Sequence, residues 1–347
     1  MTKGKQRPIH FECPKLERAV RESEWYTGKE TGPIYPADVV EIEALDIENL
    51  DITSLAGIEN LKNLRGFWFS GNQISDISPL KNLVNLLELI FNGNQVKDLS
   101  PLERLYDLEI LGFGGNQISD IAPLWNLTNL LELRFWRNKV SDISPLKNLT
   151  NLDILLFDNN QVSDLTPLQT LTHLRALGFI GNQVKDISPL ENLSELEYLE
   201  MDNNRIRELS PLKDLSMLDL LGFDNNQVSN ITPLRELDCL DELYFNGNQV
   251  SDLSPLEDMI SLKEVEFSGN SVNDISVLQK LPELEAVCFG NTQVRDITPL
   301  LYCPPLGEGG YVDVRGNDLD LTPGSENMQV IDSLINRGVE VLYKASA

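Results

Sequence analysis

The stretch Phe113-Gly-Gly-Asn-Gln-Ile-Ser-Asp-Ile-Ala-Pro-Leu124 recurs in near-copies every 22 residues, beginning at Phe69, Phe91, Phe135, Phe157, Phe179, Met201, Phe223, Phe245, Phe267 and Phe289. A fixed period of this length means a stack of like units, each burying its apolar side against its neighbours. Such an array grows by adding units, so 347 residues make one long repeat domain rather than the two globular domains their number would otherwise suggest. The expected fold class is an α/β-type repeat solenoid.

Three columns of the repeat specify a coil. Ahead of each turn, alternate residues such as Leu111 and Phe113, or Leu155 and Phe157, point inward from a strand. Ten of the twelve phenylalanines share one inward column, and each buries roughly 150 Å² or more, so a phenylalanine stack is expected to dominate the core. The turn then carries an asparagine column: Asn72, Asn94, Asn116, Asn138, Asn160, Asn182, Asn204, Asn226, Asn248 and Asn270, broken by Thr292. An amide has both donors and acceptors for the inward-facing backbone of a turn, so these residues are assigned a structural role. The residue before each asparagine is Gly or Asn, types that accept positive φ, except at Arg137, where strain is expected.

Downstream, Ser/Thr/Ala-Pro-Leu recurs, with Val277 replacing one proline; the hydroxyl is expected to cap and the proline to start a single helical turn. Asp76, Asp98, Asp120, Asp142, Asp164 and Asp186 precede it as a column of carboxylates. One carboxylate per coil lacks the six to eight oxygens of a calcium site, so turn capping is the better account of them.

At the ends the pattern changes. Residues 1–10 read as a disordered tail, and 11–44 as an N-terminal cap in which Pro14 opens a short helix with Leu16, Ala19 and Val20 on one face. The breakers between Thr27 and Pro36 lead into a first strand beginning over Val39–Ile47. Repeats occupy 45–300, with Leu50 in place of the first asparagine. Residues 301–347 form an irregular last repeat, lengthened by three residues before Asn317, and a C-terminal α/β cap. In it Thr322-Pro-Gly-Ser325 caps a helix from about Glu326 to Asn336, and Gly338 ends it before a strand over Val339–Tyr343.

The formal charge of −26 disfavours phosphate backbones and anionic lipid, and neither an apolar export segment nor a membrane-spanning run is visible. The expectations are therefore no nucleic acid, no membrane insertion, a cytoplasmic monomer, or a secreted or surface protein if the native start carries an export signal. Cys13, Cys239, Cys288 and Cys303 lack metal-ligand spacing, and His10 and His173 complete no site, so no metal or cofactor is expected. Free thiols are the simplest reading, with a Cys288–Cys303 bridge left open.

On these residues the chain resembles the bacterial internalin-type leucine-rich repeat family, whose unit reads Leu-x-x-Leu-x-x-Leu-x-Leu-x-x-Asn-x-Ile-x-Asp-Ile-x-Pro-Leu. The resemblance covers about residues 11–343 and includes the cap segment Phe11-Glu-Cys-Pro-Lys-Leu-Glu-Arg-Ala-Val20. It implies a right-handed horseshoe with a parallel β-sheet on the concave side, short helical or 3-10 turns on the convex side, and a protein ligand bound on the sheet. Phenylalanine here takes the place of the family's usual leucine at the inner strand position.

With the inward positions fixed, the residues two, four and six places before each asparagine line the concave face. In the earlier coils these include Trp68, Ile90, Ile110, Arg134, Trp136, Ile154, Leu156 and Ile180; later they become Tyr198, Glu200, Asp202, Asp224, Glu242, Tyr244, Glu264 and Glu266. Exposed tryptophan, tyrosine and arginine are the types that anchor protein interfaces, against the plain alternative that single surface apolar residues and solvated acids are normal. Gly112 and Gly114 leave positions on this face empty, where a shallow dip is expected. Two other readings remain: carbohydrate stacking on Trp68, Trp136 and Tyr244, and an acid-pair hydrolase at Glu242 and Glu264, about 5 Å apart by strand spacing. The favoured reading is a non-catalytic protein-binding module.

Overall fold

In a computed structural model that describes residues 7–344, every repeat becomes one coil with a three-residue parallel strand and a 3-10 turn. The chain divides into two compact units, the first ending at Leu174 and the second beginning at Arg175.

The first unit opens with helix α1 (Pro14–Glu22), started by Pro14 and burying Leu16 and Val20 beside Phe11 and Cys13. Residues 1–6 of the expected tail lie outside the described residues, and Ile9 donates its N–H to the Ile34 carbonyl at 2.8 Å. The first strand is shorter than the sequence suggests. Val39 and Ile42 are both fully buried, but Ile42 N–H turns back to the Val39 carbonyl at 3.2 Å, so only Ala44–Asp46 is extended. That strand, β1, is followed by β2 (Gly66–Trp68), β3 (Glu88–Ile90), β4 (Ile110–Gly112), β5 (Glu132–Arg134) and β6 (Ile154–Leu156), each pairing in parallel with the next.

Register is exact in repeat units: Leu45 faces Phe67, Leu89 faces Leu111, and Leu133 faces Leu155. Like residues therefore stack on like. Phe69, Phe91, Phe113, Phe135 and Phe157 form a continuous column with ring centroids 5.3, 5.9, 5.5 and 5.6 Å apart, close to the strand spacing itself. All of these rings are fully buried.

The second unit repeats the scheme in β7 (Ala176–Gly178), β8 (Tyr198–Glu200), β9 (Leu220–Gly222), β10 (Glu242–Tyr244), β11 (Glu264–Glu266) and β12 (Ala286–Cys288). Phe223, Phe245, Phe267 and Phe289 stack at 5.6, 5.7 and 5.4 Å. After the longer last turn come β13 (Tyr311–Asp313), helix α2 (Glu326–Asn336) and β14 (Glu340–Leu342), which pairs with β13. Ser325 caps α2 by accepting the Met328 N–H at 3.3 Å, as its sequence implies, and Gly338 leaves the helix at φ +90.

The asparagine column is a ladder that points backward. The Asn116 amide donates to the carbonyls of Phe91 and Phe113, both at 3.0 Å, while its oxygen accepts the Val96 N–H at 3.0 Å from the preceding coil. Asn226 does the same with Met201, Phe223 and Ile206 at 3.0, 3.1 and 2.9 Å. Because each asparagine serves the coil before it, the first turn does without one: Asn72 accepts the N–H groups of Leu50 and Ile52. At the other end Asn317 reaches back across the insertion to Thr292 and to the Phe289 carbonyl, so the ladder closes where the column breaks.

One further expectation changes. The hydroxyl of Ser-Pro-Leu does not cap its 3-10 turn, because the serine already lies within that turn; the aspartate two residues earlier does. Asp76 accepts the Ser78 N–H at 2.8 Å and its hydroxyl at 2.9 Å. Hydrogen bonds from Thr166 likewise hold the Asp164 carboxyl below the usual aspartate range. The cysteines are free, as the simplest reading of the sequence has them, and the bridge left open between Cys288 and Cys303 is not formed; the Cys303 thiol, pushed up to about 11 by burial, donates to the Leu278 carbonyl.

Phe157→Ala opens a cavity in a stacked column and should cost roughly 3–5 kcal/mol in chemical denaturation. Asn116→Ala strands buried backbone groups in two coils, an expected loss of about 2–4 kcal/mol by the same measurement.

Candidate binding surface

The alternation that sends leucine and phenylalanine inward sends the intervening side chains to the open face of the sheet. In the first unit Trp68, Ile90, Ile110, Trp136, Ile154 and Leu156 are half-buried there, and Arg134 is exposed. The two tryptophans are not loose. Trp68 lies over Gly66 of its own strand, with ring atoms 2.5–3.1 Å from where a Cβ would stand, and donates from Nε1 to Glu88 at 2.8 Å. Trp136 lies over Gly114 of the preceding coil, its indole 2.3–2.6 Å from the missing Cβ. The shallow dip expected at Gly114 is therefore filled by the tryptophan, while the glycine's missing side chain is what lets the ring lie flat.

Arg134 pairs with Glu132 at 2.9 Å, leaving its guanidinium partly compensated. The neighbouring Arg137 takes φ 51, the left-handed conformation otherwise reserved for Gly and Asn in this column, and its guanidinium lies 5.7 Å from the Trp136 ring centre. One contributor escaped the sequence reading. Trp25, after α1, is 42 % exposed and joins Trp68, Leu50 and Asp46 around a cavity of about 390 Å³. Its position outside the repeats gave no periodic signal.

The open face of the second unit has a different chemistry. Ile180, Tyr198, Glu200, Asp202, Asp224, Glu242, Tyr244, Glu264 and Glu266 are all half-buried on it. A second, side-chain ladder runs up this face: Asp202 accepts the Asp224 N–H at 2.8 Å, Asp224 the Asn246 N–H at 2.6 Å, and Asn246 the Ser268 N–H at 2.7 Å. The Asn246 amide then bridges the carboxylates of Asp224 and Glu266, both at 3.0 Å. Asn92 does likewise for Gly114 N–H in the first unit, so Asx two residues before the ladder asparagine was the signal for it.

Crowded carboxylates on a half-buried face resist ionisation. Burial, with Glu266 and Glu200 nearby, raises the Asp224 pKa against the opposing hydrogen bonds from Asn246; burial, Glu266 and Glu242 raise that of Glu264. Burial also pushes the Tyr244 phenol up, helped by its 2.7 Å hydrogen bond to Glu242, and burial together with Glu266 pushes up the Cys288 thiol. Glu242 and Glu264 are register partners on β10 and β11. Among the described residues, no group of three or more His, Cys, Asp or Glu side chains could hold a metal ion, and no helix is long and apolar enough to cross a membrane.

A family model described as Leucine Rich repeats (2 copies) matches residues 84–126, 128–170 and 172–214, which marks the chain as a leucine-rich repeat protein. Among solved structures it is similar to an internalin, InlF, of Listeria monocytogenes, at 30% identity over 100% of this chain and 99% of that chain, with a TM-score of 0.86. Internalin C2 of the same organism is 36% identical over 66% of this chain and 100% of that chain, with a TM-score of 0.59. The chain belongs to the bacterial internalin-type leucine-rich repeat family. The fold is also shared with the ectodomain of the plant receptor kinase GASSHO1/SCHENGEN3 of Arabidopsis thaliana, solved in complex with CASPARIAN STRIP INTEGRITY FACTOR 2. That chain is 19% identical, with 84% of this chain and 42% of that chain covered and a TM-score of 0.62. No curated protein matches.

Glu264→Gln should raise stability at neutral pH, because it removes a carboxylate whose folded-state pKa is raised. A raised pKa means that the wild-type penalty disappears below the unfolded value and grows as pH rises through the folded one. The gain, followed by urea midpoints from pH 7 downward, should therefore vanish in acid. Arg137→Asn relieves about 1 kcal/mol of left-handed strain and forfeits about 0.5 kcal/mol of cation–π contact, for a net gain of about 0.5 kcal/mol in the same assay.

Proposed function

We propose that this chain is a non-catalytic module that binds a protein ligand on the open face of its sheet. The observation that carries the reading is the run of half-exposed apolar and aromatic side chains over successive strands of the first unit, Trp68, Ile90, Ile110, Trp136, Ile154 and Leu156. Isolated surface apolar residues are ordinary; a continuous patch on a regular, rigid sheet is the signature of an interface, and tryptophan is the side chain most enriched among its energetic anchors. Both tryptophans are held flat over glycines before any partner arrives, so little rotamer entropy is lost on binding.

Tyr198, Glu200, Glu242, Tyr244 and Glu266 on the second unit add a face suited to a ligand with basic groups. A protein or peptide matches the apolar anchors of the first unit better than a glycan, which would use the aromatic faces alone. The register pair Glu242 and Glu264 has carboxylates for hydrolysis, but the Tyr244 hydroxyl is committed to Glu242, and we favour binding over chemistry. The plant receptor ectodomain of the same fold was solved in complex with CASPARIAN STRIP INTEGRITY FACTOR 2, which supports reading the fold as a binding module.

The test is affinity capture from the source organism and its surroundings, followed by titration of the purified partner against substituted chains. Trp136→Ala should weaken binding about 30-fold, near 2 kcal/mol, with little change in the unfolding midpoint. A partner whose affinity is indifferent to both Trp136→Ala and Tyr244→Ala, or glycan binding with no protein ligand present, would overturn the reading.

A further inference from the structure

On a chain of charge −26, a small surface region of the second unit gathers three cations. In the turns that follow the asparagine column of the second unit, the first of two outward positions is Gln in four of six coils and the second is Ser in two, as at Gln227 and Ser229 or Gln249 and Ser251. Two adjacent coils concentrate positive charge there instead. Lys185 stands in the serine column, and in the next coil Arg205 and Arg207 occupy both columns.

The backbone brings the three together. Arg205 N–H donates to the Val184 carbonyl at 2.8 Å, which places Arg205 beside Lys185, while Lys185 and Arg207 share one column of neighbouring coils, about 4.8 Å apart by strand spacing. Arg205 and Arg207 flank the buried Ile206, so both side chains face outward. With Glu208 and Gln227 they line an open cavity of about 480 Å³. Gln227 is half-buried and accepts the Arg207 Nε–H at 3.0 Å, fixing the guanidinium, whose terminal nitrogens have no hydrogen-bond partner among the described residues. Lys185 and Arg205 make no ion pair and no side-chain hydrogen bond among the described residues. Three cations against one carboxylate give the lining a formal charge of +2.

We propose that this cavity binds a single tetrahedral oxyanion, a phosphate or sulfate monoester. A guanidinium already braced by Gln227 is pre-set for a two-pronged contact with such a group, and an ammonium and a second guanidinium about one coil away supply the remaining donors. The surroundings set the size of the ligand. Asp186 follows Lys185, Glu208 follows Arg207, and the whole chain is strongly acidic, so an extended polyanion is repelled by everything beyond the cavity while one isolated anion is admitted. The site is separate from the proposed protein-binding face, since its residues lie after the turn rather than on the strands.

Isothermal titration at low salt with inorganic phosphate, O-phosphoserine, tyrosine O-sulfate and heparin tests this. The triple variant Lys185→Ser, Arg205→Gln, Arg207→Ser gives these coils the residues other coils carry, so the fold should keep its urea midpoint. Wild type should bind the monoesters, and the triple variant should bind them at least about tenfold more weakly. Lys97→Ser, which also removes one charge but lies far along the chain, should change nothing. A wild type that ignores all the monoesters, a triple variant that binds as well as wild type, an equal loss in Lys97→Ser, or tighter binding of heparin than of the monoesters would each overturn the proposal. Preference for phosphoserine over tyrosine O-sulfate, or the reverse, identifies the source of the anion.

Discussion

Every coil must close a turn whose backbone N–H and C=O groups face the core, where water cannot satisfy them, and the backward-reaching asparagine is the device that does so. Of the four hydrogen bonds each such amide makes, two close its own turn and two tie that turn to the coil before it, which fixes the rise between coils and hence the register of the strands. Once register is exact, like stacks on like. The phenylalanine column then follows from the backbone spacing, because rings held one strand apart meet at stacking distance without choosing rotamers individually. Hydrophobic burial supplies most of the stabilisation, yet it is the polar ladder that decides which arrangement is stabilised.

This division of labour leaves the open face free to carry information. The inward columns cannot vary without cost, whereas the outward positions change from aromatic and aliphatic in one unit to acidic and phenolic in the other with no alteration in strand geometry. The raised pKa values of Asp224 and Glu264 show that the acidic face is held at some electrostatic expense. The side-chain ladder through Asp202, Asp224 and Asn246 sets a limit on that freedom, since residues two places before the ladder asparagine also hydrogen-bond the next coil.

Most of the fold was legible because one period governs it. Phe113, Asn116, Ile118 and Pro123 repeat for reasons of packing and satisfiability, and repetition is visible in a single sequence. What the sequence hid depends on direction or on a neighbour. Nothing in the order of residues says that Asn72 serves Leu50 and Ile52 behind it, so the sequence does not explain why Leu50 can stand in place of the first asparagine. Whether serine or aspartate caps the 3-10 turn turns on which of them falls inside it, a shift of two residues that composition does not resolve. The outward residues of the candidate surface could be enumerated by alternation, but the contribution of Trp25 could not, because the cap lies outside the period.

Gly114 beneath the Trp136 indole has a consequence for how such an array changes length. Inserting or deleting one whole coil preserves the phenylalanine and asparagine columns, because every coil offers its neighbours the same core. The tryptophan and its glycine belong to different coils, and a unit slipped between them would seat the indole against a side chain that has no room for it. The scaffold is modular at a spacing of one repeat, whereas the surface it displays is modular only in blocks that keep such partners adjacent. Length and surface therefore evolve under different rules in the same stack.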